Sequence, residues 1–147
     1  MQSAAASTSV KRQIDEVFAT IVDFDRMSSW VDGLHDVVQV SPGPVDVGSA
    51  FSAKLNFRGK TRPFHFTITN WEPPHSFGLG TRRGSLPFET TVHLTPVDGG
   101  ITRIEKTISS AGGVGARLLT KALKPILSRA VRREIDALER MLDPQTD

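Results

Sequence analysis

Cysteine is absent from the 147-residue chain. That excludes disulfides, thiolate nucleophiles and Cys-based zinc or iron–sulfur sites, and it fits a cytoplasmic protein. Tyrosine is absent too, which removes one common hydrogen-bond donor of binding pockets. No run approaches the ~18 apolar residues that a membrane span needs. The opening Met-Gln-Ser-Ala-Ala-Ala-Ser-Thr-Ser has neither a basic nor an apolar region and does not read as a signal peptide. There is no G-x-x-x-x-G-K-[ST], no G-x-G-x-x-G after a strand and no H-E-x-x-H, so no cofactor or metal is expected. Charge of one sign is also scarce: 18 Lys and Arg against 16 Asp and Glu leave a net +2. A nucleic-acid partner is not indicated.

What the chain does have is a long amphipathic C-terminal segment. From Gly113 to Asp143, apolar residues recur in threes and fours, among them Leu119, Leu123, Ile126, Val131, Ile135, Leu138 and Leu142. That spacing predicts one stripe of an α-helix. At 1.5 Å per residue the helix would be roughly 40 Å long and needs a large apolar partner. Pro125 lies within the pattern and should weaken the helix locally. The Gly112-Gly113-Val114-Gly115 run lacks the P-loop lysine and reads as a hinge before the helix.

The partner is legible upstream. A short strand is expected within residues 3–12, with a helix from about Asp15 to Asp23 carrying Val17, Phe18, Ile21 and Val22. A second short helix, Phe24 to Trp30, stops at Gly33. Leu34 to Val40 is a strand candidate, and Ser41-Pro42-Gly43-Pro44 is a turn. Phe51, Ala53, Leu55 and Phe57 alternate with polar residues, as do Phe64, Phe66 and Ile68 after the turn at Arg58-Gly59-Lys60. Phe77, Leu79 and Thr81 follow Pro73-Pro74. Leu86, Phe88, Thr90, Val92 and Leu94 form the next strand, and Asp98-Gly99-Gly100 is a hairpin turn before a last strand, Ile101 to Ile108. The two-residue period predicts an antiparallel sheet with one apolar face and one wet face. The order β-α-α-β6-α is an α+β layout.

Several motifs in this order resemble a known superfamily. They are Ile14-Asp15-Glu16-Val17-Phe18, the Asp23–Trp30 helix ending on tryptophan, Val47-Gly48-Ser49-Ala50-Phe51, Trp71-Glu72-Pro73-Pro74, and Gly99-Gly100-Ile101-Thr102-Arg103 before the terminal helix. Together they are similar to the START/Bet v 1-like helix-grip superfamily (SRPBCC), and within it to small bacterial polyketide cyclase/dehydrase-like proteins. The resemblance spans residues 8–143, leaving 1–7 as a flexible N-terminal tail and 144–147 as a C-terminal tail. It implies a helix-grip fold, a curved antiparallel sheet wrapped around the long helix with an internal cavity. Trp30, Phe51, Ala53, Leu55, Phe64, Phe66, Ile68, Phe77, Leu79, Phe88, Thr90, Val92, Leu119, Leu123 and Ile126 would line it.

Cavity chemistry needs inward polar groups. His65 and His93 alternate opposite the apolar residues and should face solvent, and His75 sits in a turn. His35, near the expected cavity mouth, is the histidine left as a catalytic candidate. On the last strand Arg103 and Glu105 share one face, while Thr102, Ile104, Lys106 and Ile108 share the other. Which face points inward is left open, and a buried charge there would need a partner and would be a site candidate. Asp23 and Asp25 read as capping residues.

The function expected is binding or transport of a small hydrophobic ligand (lipid, isoprenoid or polyketide-like) by a monomer or homodimer, with binding favoured over catalysis and the enzyme question left open. One alternative is a cofactor-independent polyketide cyclase or dehydratase. Another is a protein or peripheral membrane-surface contact through the basic helix face at Arg117, Lys121 and Arg132.

Overall fold

The computed structural model describes residues 2–31, 33–57, 59–81, 88–110 and 116–142; the side chains of Gln2, Phe57, Phe88, Ser110, residues 116–124, Ile126 and Leu127 lie outside that description. In chain order the elements are β1 (Gln2–Val10), α1 (Ile14–Ile21), a 3₁₀ turn (Phe24–Ser29), β2 (Leu34–Gln39), β3 (Ala50–Phe57), β4 (Lys60–Glu72), β5 (Ser76–Thr81), β6 (Phe88–Pro96), β7 (Thr102–Ser110) and α2 (Ala116–Leu142). The seven strands form one antiparallel sheet in the order β1-β7-β6-β5-β4-β3-β2. Register shifts between His35 and Val38 and between Ile68 and Asn70 are irregularities of the kind that bend a sheet.

This strand order decides how the inner face is filled. The first two strands sit at opposite edges, so the chain between them must cross the sheet. It crosses as α1 and the 3₁₀ turn, which bury Val17, Phe18, Ile21 and Met27. Phe18 meets Trp71 and Phe77 edge-on at 5.5 and 6.3 Å, and Phe24 lies 4.3 Å from Phe51, which stacks on Phe66 at 5.1 Å. Such contacts add about 0.5–1.5 kcal/mol per aromatic pair to the area buried. The alternation expected for β3 and β4 is present: Phe51, Ala53, Phe66 and Ile68 are buried, while Lys54, His65 and Thr67 are exposed.

The second half of α2 covers the β1 and β7 side of the sheet. Its buried stripe is Val131, Glu134, Ile135, Leu138 and Leu142, at the three- and four-residue spacing of a helix face. Beneath it β1 presents Ala4 and Ala6, both buried, and small residues let the helix approach closely. Arg12 Nε donates to the Leu142 carbonyl at 2.7 Å, satisfying one acceptor left open at the helix end. Thr102 Oγ1 donates to the Arg12 carbonyl at 2.7 Å, so one residue clasps the last helix to the last strand.

The structure corrects some boundaries. Residues 2–7 are not a tail, because Gln2 through Val10 pair in register with Ser110 through Thr102. Ala and Ser are poor strand formers alone, and a paired neighbour overrides that preference. The second short helix is 3₁₀, and Asp23 holds its N-cap position without a side-chain capping bond. Its carboxylate instead lies 4.0 Å from Arg26. β5 is buried from Ser76 through Gly80 on both faces. A side chain at Gly78 would meet Thr69 Oγ1 at 3.0 Å and the Thr90 carbonyl at 3.3 Å. Leu86, the glycine run 112–115 and the start of the expected helix at 113–115 lie outside the described residues.

Candidate functional site

β7 resolves the question its sequence left open. Thr102, Ile104 and Lys106 are buried, and Arg103 and Glu105 are exposed and 3.7 Å apart. Lys106 therefore points inward, between Ala6 on one neighbouring strand and Val92 on the other. It is 3% exposed and donates to Oε2 of Glu134, itself 9% exposed, from the buried stripe of α2. Its Nζ also lies 5.1 Å from the ring centroid of Trp30, within cation–π range. Burial disfavours the charged amine and lowers its pKa from 10.5 to about 7.

Trp30 reaches this position because the chain around it is pinned. Its amide and that of Val31 both donate to the Met27 carbonyl, at 3.2 and 2.9 Å. Three residues on, Gly33 has φ +80°, and a Cβ there would stand 2.5 Å from the Asn56 carbonyl oxygen. The Asn56 amide donates to the Gly33 carbonyl at 2.8 Å, which fixes the start of β2 against β3. Trp30 is 4% exposed and belongs to the same core as Phe51, Phe66 and Phe77. Its Nε1 is buried with no hydrogen-bond partner among the described residues.

Outside this group lies a cleft of about 360 Å³, bordered by Ser28, Ser29, Trp30, Val31 and Gly33 on one wall and by Arg133, Asp136, Ala137 and Arg140 of α2 on the other. Its volume is in the range of small-molecule sites. Among the expected liners whose side chains are described, Trp30 is the one that borders this cleft. Phe51, Ala53, Phe66, Ile68, Phe77, Leu79, Thr90 and Val92 are buried on the inner face, with Thr90 Oγ1 donating to the Thr107 carbonyl at 2.9 Å. Leu55 and Phe64, nearer the β3–β4 turn, are half-buried. The side chains of Phe88, Leu119, Leu123 and Ile126 lie outside the described residues, as do those of Arg117 and Lys121.

His35 lies on the other side of the sheet from Trp30 and Lys106. It is part-exposed, with Nδ1 3.2 Å from Asp36 Oδ2 and Nε2 3.1 Å from Asn56 Oδ1. Its neighbour across the ladder is Lys54, whose ammonium is 3.6 Å from the same Asp36 carboxylate. His65, His75 and His93 are exposed. Among the described residues no group of His, Asp and Glu could hold a metal ion, and no helix is long and apolar enough to cross a membrane.

The family model for polyketide cyclase/dehydrase and lipid transport matches residues 1–143. The chain belongs to that family. No curated protein matches the sequence significantly. Among solved structures, the START superfamily protein from Mycobacterium smegmatis superposes with a TM-score of 0.74 at 11% identity, over 95% of this chain and 96% of that one. The Zhui aromatase/cyclase from Streptomyces sp. R1128 gives 0.70 at 12%, over 97% and 96%. The di-domain ARO/CYC BexL of the BE-7585A biosynthetic pathway gives 0.78 at 14%, over 95% of this chain and 46% of that one. This polyketide cyclase/dehydrase family member thus spans about half of that di-domain chain. At these identities the likeness establishes the helix-grip fold.

Proposed function

We propose that the protein binds a small hydrophobic molecule, lipid-, isoprenoid- or polyketide-like, between the 3₁₀ turn, the inner face of the sheet and α2. The observation that carries this reading is the position of Trp30: one residue both borders a cleft of ligand size and belongs to the aromatic core. Apolar ligand surface taken out of water there gains about 25 cal/mol per Å² before ordering costs. Native mass spectrometry of the freshly purified protein, followed by organic extraction, tests it. A retained apolar molecule supports the reading. A protein that is empty and also leaves the fluorescence of 1-aminoanthracene unchanged would refute it.

A second reading, a cofactor-independent cyclase or dehydratase, is favoured by one specific observation. Such chemistry needs ionisable groups facing inward, and Lys106 and Glu134 supply a donor and a carboxylate in one buried place. A carboxylate that removes a proton next to a carbonyl, with a donor at the developing enolate oxygen, is the arrangement enolisation requires. Deuterium exchange into the methyl group of 2-acetylnaphthalene, followed by NMR, tests this reading. Acceleration by the protein that Glu134→Gln abolishes supports it, and no acceleration rejects it.

A further inference from the structure

Two buried hydrogen-bond donors, one on Trp30 of the cleft wall and one on Lys106 behind its ring, are unspent. An ammonium has three protons. Lys106 gives one to Glu134 and sets its charge near the ring of Trp30, and no further acceptor meets it among the described residues. Trp30 Nε1 has no acceptor among the described residues. A buried unpaired donor is costly, and such groups are ordinarily satisfied by protein, water or ligand. Both groups belong to one contact pair, and the tryptophan borders the cleft.

We infer that Trp30 Nε1 and Lys106 Nζ form a subsite for a neutral oxygen acceptor, the carbonyl of an aromatic ketone, quinone or lactone whose apolar body lies in the cleft. This rests on the ligand-binding reading and names the polar feature that the ligand carries. The charge balance selects neutrality. Lys106 is already paired with Glu134, so a carboxylate or phosphate at these donors would be a second anion beside Glu134 competing for one buried ammonium. A neutral carbonyl offers two lone-pair directions to two donors and adds no charge.

The ring keeps the donors fixed. Trp30 is held by the Met27 carbonyl and by the tight Gly33–Asn56 contact, and Lys106 by its place between Ala6 and Val92 in the ladder. A site that holds its donors in place rejects an analogue lacking the acceptor, because the donors are then left unpaired again.

Isothermal titration with a matched pair tests this: 2-acetylnaphthalene and 2-ethylnaphthalene, which differ in one C=O for one CH₂, with 2-naphthoate as the charged comparator. The intact protein should bind the ketone roughly tenfold more tightly than the hydrocarbon and should not prefer the carboxylate. Trp30→Phe keeps the ring and removes the N–H; the double variant Lys106→Met/Glu134→Leu removes the pair without stranding a charge. Each should bring the ketone preference, the ratio of the two affinities within the same variant, down toward unity. Equal binding of ketone and hydrocarbon by the intact protein overturns the subsite and leaves hydrophobic binding standing. A preference that survives in both variants overturns it as well. If neither neutral compound binds the folded protein, the ligand-binding reading fails and takes the subsite with it.

Discussion

Removing Glu134 while leaving Lys106 in place should be among the most damaging single changes in the chain, and it should be repairable. In Glu134→Leu the ammonium keeps the Trp30 ring but loses its carboxylate, inside a layer of Ala6, Val92 and Ile104. Breaking one side of a buried pair costs about 3–5 kcal/mol. For a chain of this length each kcal/mol moves Tm by about 3 °C, so the melting point should fall by about 9–15 °C.

The stability of the intact protein should depend on pH in a defined direction. Between about pH 7 and 10.5 the unfolded chain still holds the Lys106 proton and the folded chain has released it. Stability from this group therefore rises with pH, by up to about 1.4 kcal/mol per unit. Below about pH 7 both states are protonated and the full penalty is present. The double variant Lys106→Met/Glu134→Leu should recover most or all of the loss, because an apolar pair of similar volume is often as stable or more so. Thermal and urea unfolding at pH 6, 7.5 and 9 measure all three proteins. A loss below about 1 kcal/mol in the single variant, or a double variant as unstable as the single, would refute the reasoning.

Gly33→Ala should cost about 1–3 kcal/mol, since it adds a Cβ at a left-handed φ and against the Asn56 carbonyl. Urea unfolding reads the stability, and tryptophan fluorescence should report a disturbed Trp30. Phe66→Ala removes a fully buried ring from the stack with Phe51 and should cost about 3–5 kcal/mol by the same assay; under 2 would mean the site collapses to fill itself. Pro125 interrupts α2 and cannot donate to the carbonyl four residues before it. Amide exchange should therefore be faster over residues 116–128 than over 129–142, and uniform slow exchange would argue against local weakening of the helix by Pro125.

Much of this fold could be read locally, because one face of the sheet is dry. Phe51 and Ala53, or Phe66 and Ile68, alternate with Lys54, His65 and Thr67, and a two-residue period has one solution once a side must be buried. The last strand is the exception. It carries charges on both faces, Arg103 and Glu105 against Lys106, so period alone does not choose between them. What chooses is Glu134, 28 positions later. It was visible on the helical stripe, three residues after Val131 and four before Leu138, but a glutamate there has meaning only beside an inward lysine. The strand at residues 2–7 was obscured for a similar reason: Ala and Ser show no pattern until β7 supplies the partner. Trp30 was legible as a large ring at a helix end, and its unpaired N–H was not.

The Lys106–Glu134 contact also acts as an index mark between two elements that could otherwise slide. Apolar stripes tolerate displacement, since Val131, Ile135, Leu138 and Leu142 would still meet apolar surface after a shift of one turn, about 5.4 Å along the axis. A single charged tooth does not. It has one notch, between Ala6 and Val92, and a helix displaced or rotated from it strands two charges at once. Inserting one residue just ahead of Val131 would turn the following stripe by about 100° and pull the tooth out of its notch, whereas the same insertion after Leu142 would leave it seated.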